Sequence, residues 1–235
     1  MRPVAFLAKS RPLKIPWILF VLGVSLFVVL MNFTLFSHLY RDINFQDNAL
    51  LFLSLPLIFF GLVLSIFALT FLPYLSKPLS ILVILSTTLS VFFISSYGIV
   101  IDSDMIRNVI KTDTKEVGDL LNIKLVLYVV FFGLLPTLLI LFCKIEYFGF
   151  KRHLKHKLLL FSVGLVLAFG LFLIQTKTLI PYFRSNTQVR VYNTPFYQFY
   201  SVTKYFKQDF SKPRTFQTFS ENAKLQESSK KNYLS

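Results

Sequence analysis

The chain has 235 residues, 54% of them hydrophobic and 17% aromatic, with a formal net charge of +14 at pH 7. Only 15% of residues are charged, and they cluster outside long apolar runs, which excludes an ordinary soluble domain and points to a membrane protein. A single cysteine, Cys143, excludes an internal disulfide framework and a cysteine-based zinc site, and reads as a small apolar residue near a helix end.

Residues 1–14 carry Arg2, Lys9, Arg11 and Lys14 and no acid. A transmembrane helix needs about 20 mainly apolar residues. Five runs meet that need, at about 15–36, 49–73, 79–96, 123–143 and 157–176. The first continues into Ser37-His38-Leu39-Tyr40-Arg41 without a small-residue cleavage site, so it reads as an uncleaved anchor. Pro56 and Pro136 fall inside the second and fourth runs. Membrane helices tolerate such prolines when neighbours satisfy the freed carbonyl, and here they read as kinks that shape packing. The only charges in the runs are Lys124 and Lys157, both at span edges.

Loop charge sets the expected orientation. The N-terminus, the turn holding Lys77, and the loop holding Lys144, Lys151, Arg152, Lys155 and Lys157 read as cytoplasmic. The loops at 37–48 and 97–122 are acidic and read as periplasmic. Five spans then put the C-terminus in the periplasm, although residues 177–235 hold ten Lys or Arg against three acids. A tail of about 60 residues is near the length where the charge rule loses force, and its basic, aromatic surface suits anionic head groups. Within it, 177–193 reads as a loop. Residues 194–208 read as an interfacial helix capped by Thr194 with Pro195 at the first position. Residues 211–235 read as a polar linker. His153 and His156 fall in the cytoplasmic loop without further ligands nearby, and His38 lies alone at the outer end of the first span.

Five of the eleven acidic residues lie between residues 97 and 119. A helix over about 102–119 is expected there, capped by Asp102 or Ser103 and ended by Gly118. Met105, Ile106, Val109, Ile110 and Val117 would share a sector about 140° wide and face the membrane, opposite Asp104, Arg107, Lys111 and Lys115. Asn108, Thr112 and Glu116, spaced four apart, form a stripe about 12 Å long along one edge. An amide, a hydroxyl and a carboxylate there match a lipid head group with a phosphate and an ammonium. By spacing alone the stripe reads first as an ordinary solvated helix edge.

The run Tyr97-Gly98-Ile99-Val100-Ile101-Asp102, followed by Met105, Ile106, Asn108, Thr112 and Glu116, closely resembles the periplasmic loop of lipid A phosphoethanolamine transferases. FLSLPLIFF at 52–60, SKPLSILVIL at 76–85, and FRSN at 183–186 with Thr194-Pro195 resemble the same family. The resemblance covers about 10–210. It implies an all-α membrane domain with five transmembrane helices and periplasmic amphipathic helices, in a Gram-negative inner membrane. It further implies that Asn108, Thr112 and Glu116 hold the donor head group of phosphatidylethanolamine, whose phosphoethanolamine goes to lipid A. The family's threonine nucleophile and zinc ligands belong to a periplasmic sulfatase-like domain. No Gly-Glu-Thr motif follows residue 210. The expected organisation is therefore a membrane domain at 1–176, a periplasmic segment at 177–210, and a linker at 211–235 toward that domain. No cofactor or catalytic residue is expected in this chain, which alone is expected to be inactive, and no nucleic acid partner. The alternative is a stand-alone or truncated non-catalytic membrane protein that binds lipid or a partner. A transporter fits poorly, because no run holds a buried acid or histidine and no internal repeat is visible.

Overall fold

The apolar runs become helices because a span in lipid must satisfy its own backbone hydrogen bonds. The computed structural model describes residues 13–41, 49–111 and 122–211. In chain order the helices are α1 (Trp17–Met31), α2 (Phe33–Arg41), α3 (Ala49–Thr70), α4 (Ser76–Tyr97) and α5 (Ser103–Lys111). They continue with α6 (Ile123–Phe142), α7 (Phe150–Ile174), α8 (Thr176–Ser185), a 3-10 turn (Thr187–Tyr192) and α9 (Phe196–Ser211). Helices α3, α4, α6 and α7 are each long and apolar enough to cross a membrane. The pair α1 and α2, bent by 48°, adds a fifth if the two form one broken span. The protein is thus an all-α multi-pass membrane bundle. A short parallel pair, β1 (Lys14–Pro16) with β2 (Lys144–Glu146), ties the start of α1 to the end of α6.

Helices α3 and α7 meet through small residues. A Cβ placed on Gly61 would stand 2.6 Å from the Gly164 carbonyl oxygen and 3.0 Å from the Ala168 nitrogen. Ser65 Oγ, 2.8 Å from Gly61 O, reaches across to Phe161 O at 3.2 Å. Lipid is as apolar as the side chains, so close approach and hydrogen bonds, rather than the hydrophobic effect, hold such helices together. Beside this seam, Trp17, Phe20, Phe67 and Phe71 form the main core. Helix α6 lies outermost: 17% of its span is buried, against 50% for α4.

Both span prolines find the partners they need. A regular helix would pair the absent Pro56 N–H with Phe52 O, and the Tyr40 hydroxyl donates to that oxygen at 2.7 Å. Phe132 O stands in the same relation to Pro136, and the Thr88 hydroxyl lies 3.0 Å from it. The turn before Pro136, Val129–Leu134, widens to a π-helix, which relieves the clash between the proline ring and the preceding turn.

Several segments differ from the sequence expectation. The first span is two helices, broken where Asn32 turns its side chain away to Thr194. Residues 177–193 are largely helical rather than a loop, because Leu179 and Val189 bury against Leu35, Leu39, Leu51 and Leu55. Thr194 does not cap α9, since its hydroxyl donates to Asn32 Oδ1 at 2.9 Å. Helix α7 starts at Phe150, not 157, so His153 is part of the bundle, buried with its ring 4.5 Å from that of Trp17. Lys157 is not at an open edge: it is buried, and its ammonium donates to Leu69 O at 2.8 Å, at the end of α3. His38 stacks on Tyr192 at 4.2 Å. Cys143 is buried at the end of α6.

Candidate functional site

The loop between α4 and α6 is fixed at both ends. Gly98, at φ 67°, stops α4 in the left-handed conformation that glycine adopts without a Cβ penalty, and Ile99 N–H reaches back to Phe93 O at 3.3 Å. At the far end Asn122 Oδ1 accepts from Leu125 N–H at 2.8 Å and caps α6. Its amide nitrogen donates to the Tyr97 hydroxyl at 2.7 Å. One residue therefore starts α6 and ties it to the last residue of α4.

Helix α5 begins inside this bracket. Asp102 Oδ1 accepts from Asp104 N–H at 3.1 Å and from Met105 N–H at 2.8 Å, so Asp102, not Ser103, is the cap. Met105 and Ile106 are half-buried, while Val109 and Ile110 are 52% and 62% exposed. Such exposure of apolar side chains suits a surface that meets lipid. Asn108 stands exposed beside them. Thr112 and Glu116 lie outside the described residues, as do Val117 and Gly118.

Arg107 departs from the sequence expectation. It does not face open water. One guanidinium nitrogen pairs with Asp104 at 3.1 Å, and the other donates to Gln208 Oε1 on α9 at 3.2 Å. Helix α5 is thus held to α9, whose other end is held by Thr194 to Asn32 within the bundle. Neither Arg107 nor Gln208 carries a sequence signal for this role, since 101 residues separate them. Among the described residues no three His, Cys, Asp or Glu side chains come together to hold a metal ion, so they offer no zinc site.

The sequence profile of the phosphoethanolamine transferase EptA/EptB family matches residues 59–210, well over half of the chain. The chain belongs to this family. Specifically, it corresponds to the N-terminal membrane domain of a phosphoethanolamine transferase. It is similar to phosphatidylethanolamine transferase Mcr-1 of Escherichia coli, at 31% identity over 189 residues, 79% of this chain and 35% of that protein. It is similar also to phosphoethanolamine transferase EptA of Escherichia coli K12, at 32% identity over 120 residues, 50% of this chain and 22% of that protein. Among solved structures, the integral membrane lipooligosaccharide phosphoethanolamine transferase EptA from Neisseria meningitidis shares the fold, with a TM-score of 0.80 at 23% identity over 86% of this chain and 38% of that one. The chain spans 35% or less of the length of each of these curated relatives.

Proposed function

We propose that this phosphoethanolamine transferase domain anchors the enzyme in a Gram-negative inner membrane and presents the donor lipid to it. The donor is phosphatidylethanolamine and the acceptor is lipid A. The observation that carries this reading is α5 itself. It is a capped helix, held at the end of α4 and against α9, with Val109 and Ile110 exposed on its surface and Asn108 beside them.

In this reading the Asn108 amide and Thr112 hydroxyl donate to phosphate oxygens, and the Glu116 carboxylate pairs with the ammonium. The chain's share of the reaction is to orient the head group. The threonine nucleophile and zinc belong to a periplasmic catalytic domain of the family type, where zinc supplies Lewis-acid stabilisation of the transferring phosphoryl group. The charge pattern supports a cytoplasmic N-terminus and a periplasmic C-terminal segment. The β1–β2 pair supports it too, by putting the Lys14 and Lys144 segments on one face of the membrane. A reporter active only in the periplasm should work when fused after Tyr233 and fail after Lys155. The opposite pattern would put α5 on the wrong side for this chemistry.

The donor site is tested in the intact enzyme by Glu116→Ala against its neighbour Lys115→Ala. A partly dehydrated carboxylate–ammonium contact contributes about 1.5–3 kcal/mol. Loss of Glu116 should therefore lower kcat/KM roughly 10- to 150-fold. Loss of Lys115, which the helical wheel puts opposite the apolar sector, should cost under about 1 kcal/mol, as for a solvated charge. Equal activities, normalised to inserted protein, would leave the stripe a solvated helix edge.

A further inference from the structure

Away from α5 the bundle holds a second feature, an apolar crevice of about 280 Å³ between α2, α3, α7 and α8. Leu35, Leu55, Leu62 and Phe172 line it. Leu55 and Leu62 are seven residues apart, so they share one face of α3, and the crevice follows that face for about 10 Å into the span. Its polar residues come from the segment after the last span: Arg190 on the 3-10 turn, and Asn193. By the alternation of the spans, this mouth opens on the same side of the membrane as α5.

Both polar residues are left wanting a partner. Asn193 Oδ1 is buried and accepts no hydrogen bond. Arg190 is exposed, and among the described residues no carboxylate pairs with it. The segment after the last span is basic: Lys177, Arg184 and Arg190 lie on it, and no Asp or Glu occurs between Glu146 and Asp209. A buried acceptor without a donor is costly, and a guanidinium fork matches a phosphate.

We propose that this crevice holds one acyl chain of an anionic glycerophospholipid, distinct from the donor at α5. The phosphodiester meets Arg190, and a head-group hydroxyl donates to Asn193 Oδ1. A few polar groups at one end of an apolar slot is the arrangement that fixes a ligand's orientation. The Arg190 guanidinium at the mouth favours an anionic head over a zwitterionic one, because an ammonium there would face a cation that no carboxylate among the described residues pairs with.

The test uses the full chain, delipidated in detergent and titrated with phosphatidylglycerol, phosphatidylethanolamine or phosphatidylcholine. Binding is read by native mass spectrometry and by the lipid-induced shift in Tm. Wild type should bind phosphatidylglycerol in preference to both others. Arg190→Gln should lose about fivefold of that preference, the effect of one cation near a lipid surface. Lys151→Gln, on the opposite face, should keep it. Leu62→Trp, which fills the crevice, should weaken binding of phosphatidylglycerol, while Arg190→Gln, a surface variant, tests the head group without changing the packing. Equal binding of phosphatidylglycerol and phosphatidylcholine by wild type would overturn the proposal. So would an unchanged preference in Arg190→Gln. Tighter binding of phosphatidylethanolamine would also overturn it, giving the crevice to the donor lipid instead. None of these outcomes bears on the Glu116 test, which reads transfer by the intact enzyme.

Discussion

The Tyr40 hydroxyl donates to the Phe52 carbonyl at 2.7 Å while the two rings stack 4.2 Å apart. That carbonyl is the one that Pro56 leaves without its helical donor. The hydrogen bond, contributed by α2, therefore completes the backbone of α3. Tyr40→Phe keeps the ring and removes the donor. It should cost about 0.6 kcal/mol and at most about 1.7 kcal/mol, the range for such bonds in membranes. In a Pro56→Ala background the restored N–H pairs with Phe52 O, and the cost of Tyr40→Phe should shrink. A double-mutant cycle on thermal unfolding in detergent measures this coupling. Equal costs in both backgrounds would show that the hydroxyl serves something else.

The seam between α3 and α7 predicts a contrast among glycines. Gly61→Ala drives a methyl into Gly164 O and Ala168, and Gly164→Ala drives one into Ser65. Each should lower stability by about 1–3 kcal/mol, the usual cost of overpacking. Gly170→Ala, also on α7, meets nothing within 4 Å and should be neutral or slightly stabilising. Unchanged Tm in Gly61→Ala would mean that the helices separate freely.

The Asn32 side chain makes four hydrogen bonds while fully buried. Its amide nitrogen donates to Val28 O at 2.7 Å and Thr194 O at 2.8 Å, and its oxygen accepts from Thr194 N–H at 3.0 Å and Oγ1 at 2.9 Å. Asn32→Ala leaves three Thr194 groups without partners. At about 1–3 kcal/mol for each orphaned group, the loss should exceed that of Tyr40→Phe. Protease sensitivity around residues 193–196 should rise in step. A variant as stable and as resistant as wild type would remove Asn32 from the frame.

Arg107 predicts a difference between two partners of one ion pair. Arg107→Ala and Gln208→Ala both cut the link from α5 to α9, whereas Asp104→Ala removes only a carboxylate whose side chain is 73% exposed. Hydrogen exchange in α5 should speed up about fivefold in the first two, for a bond worth about 1 kcal/mol. It should change little in Asp104→Ala. Equal effects in all three would reduce Arg107 to local helix support.

The membrane class, the apolar spans, the family resemblance, a cap at Asp102 or Ser103 and the two prolines were all legible in the chain. They depend on composition, on apolar run length, and on residues within a few positions of one another, which are local properties. The sequence also showed what Pro56 and Pro136 need, a donor for a freed carbonyl, but not that the Tyr40 hydroxyl supplies one and the Thr88 hydroxyl, shared with Ile84 O, lies beside the other. Tertiary structure decided the rest. Residues 177–193 look like a loop because they are basic and hold Pro181, yet Leu179 and Val189 fold them onto α2 and α3. Arg107 looks like a solvated charge by its place on the helical wheel, yet α9 returns to it from 101 residues away. A helical wheel tells which side chains share a face, but not what stands opposite. That depends on which helices pack together, and here the packing rests on contacts such as Gly61 with Gly164 and Asn32 with Thr194, which are separated by more than 100 residues.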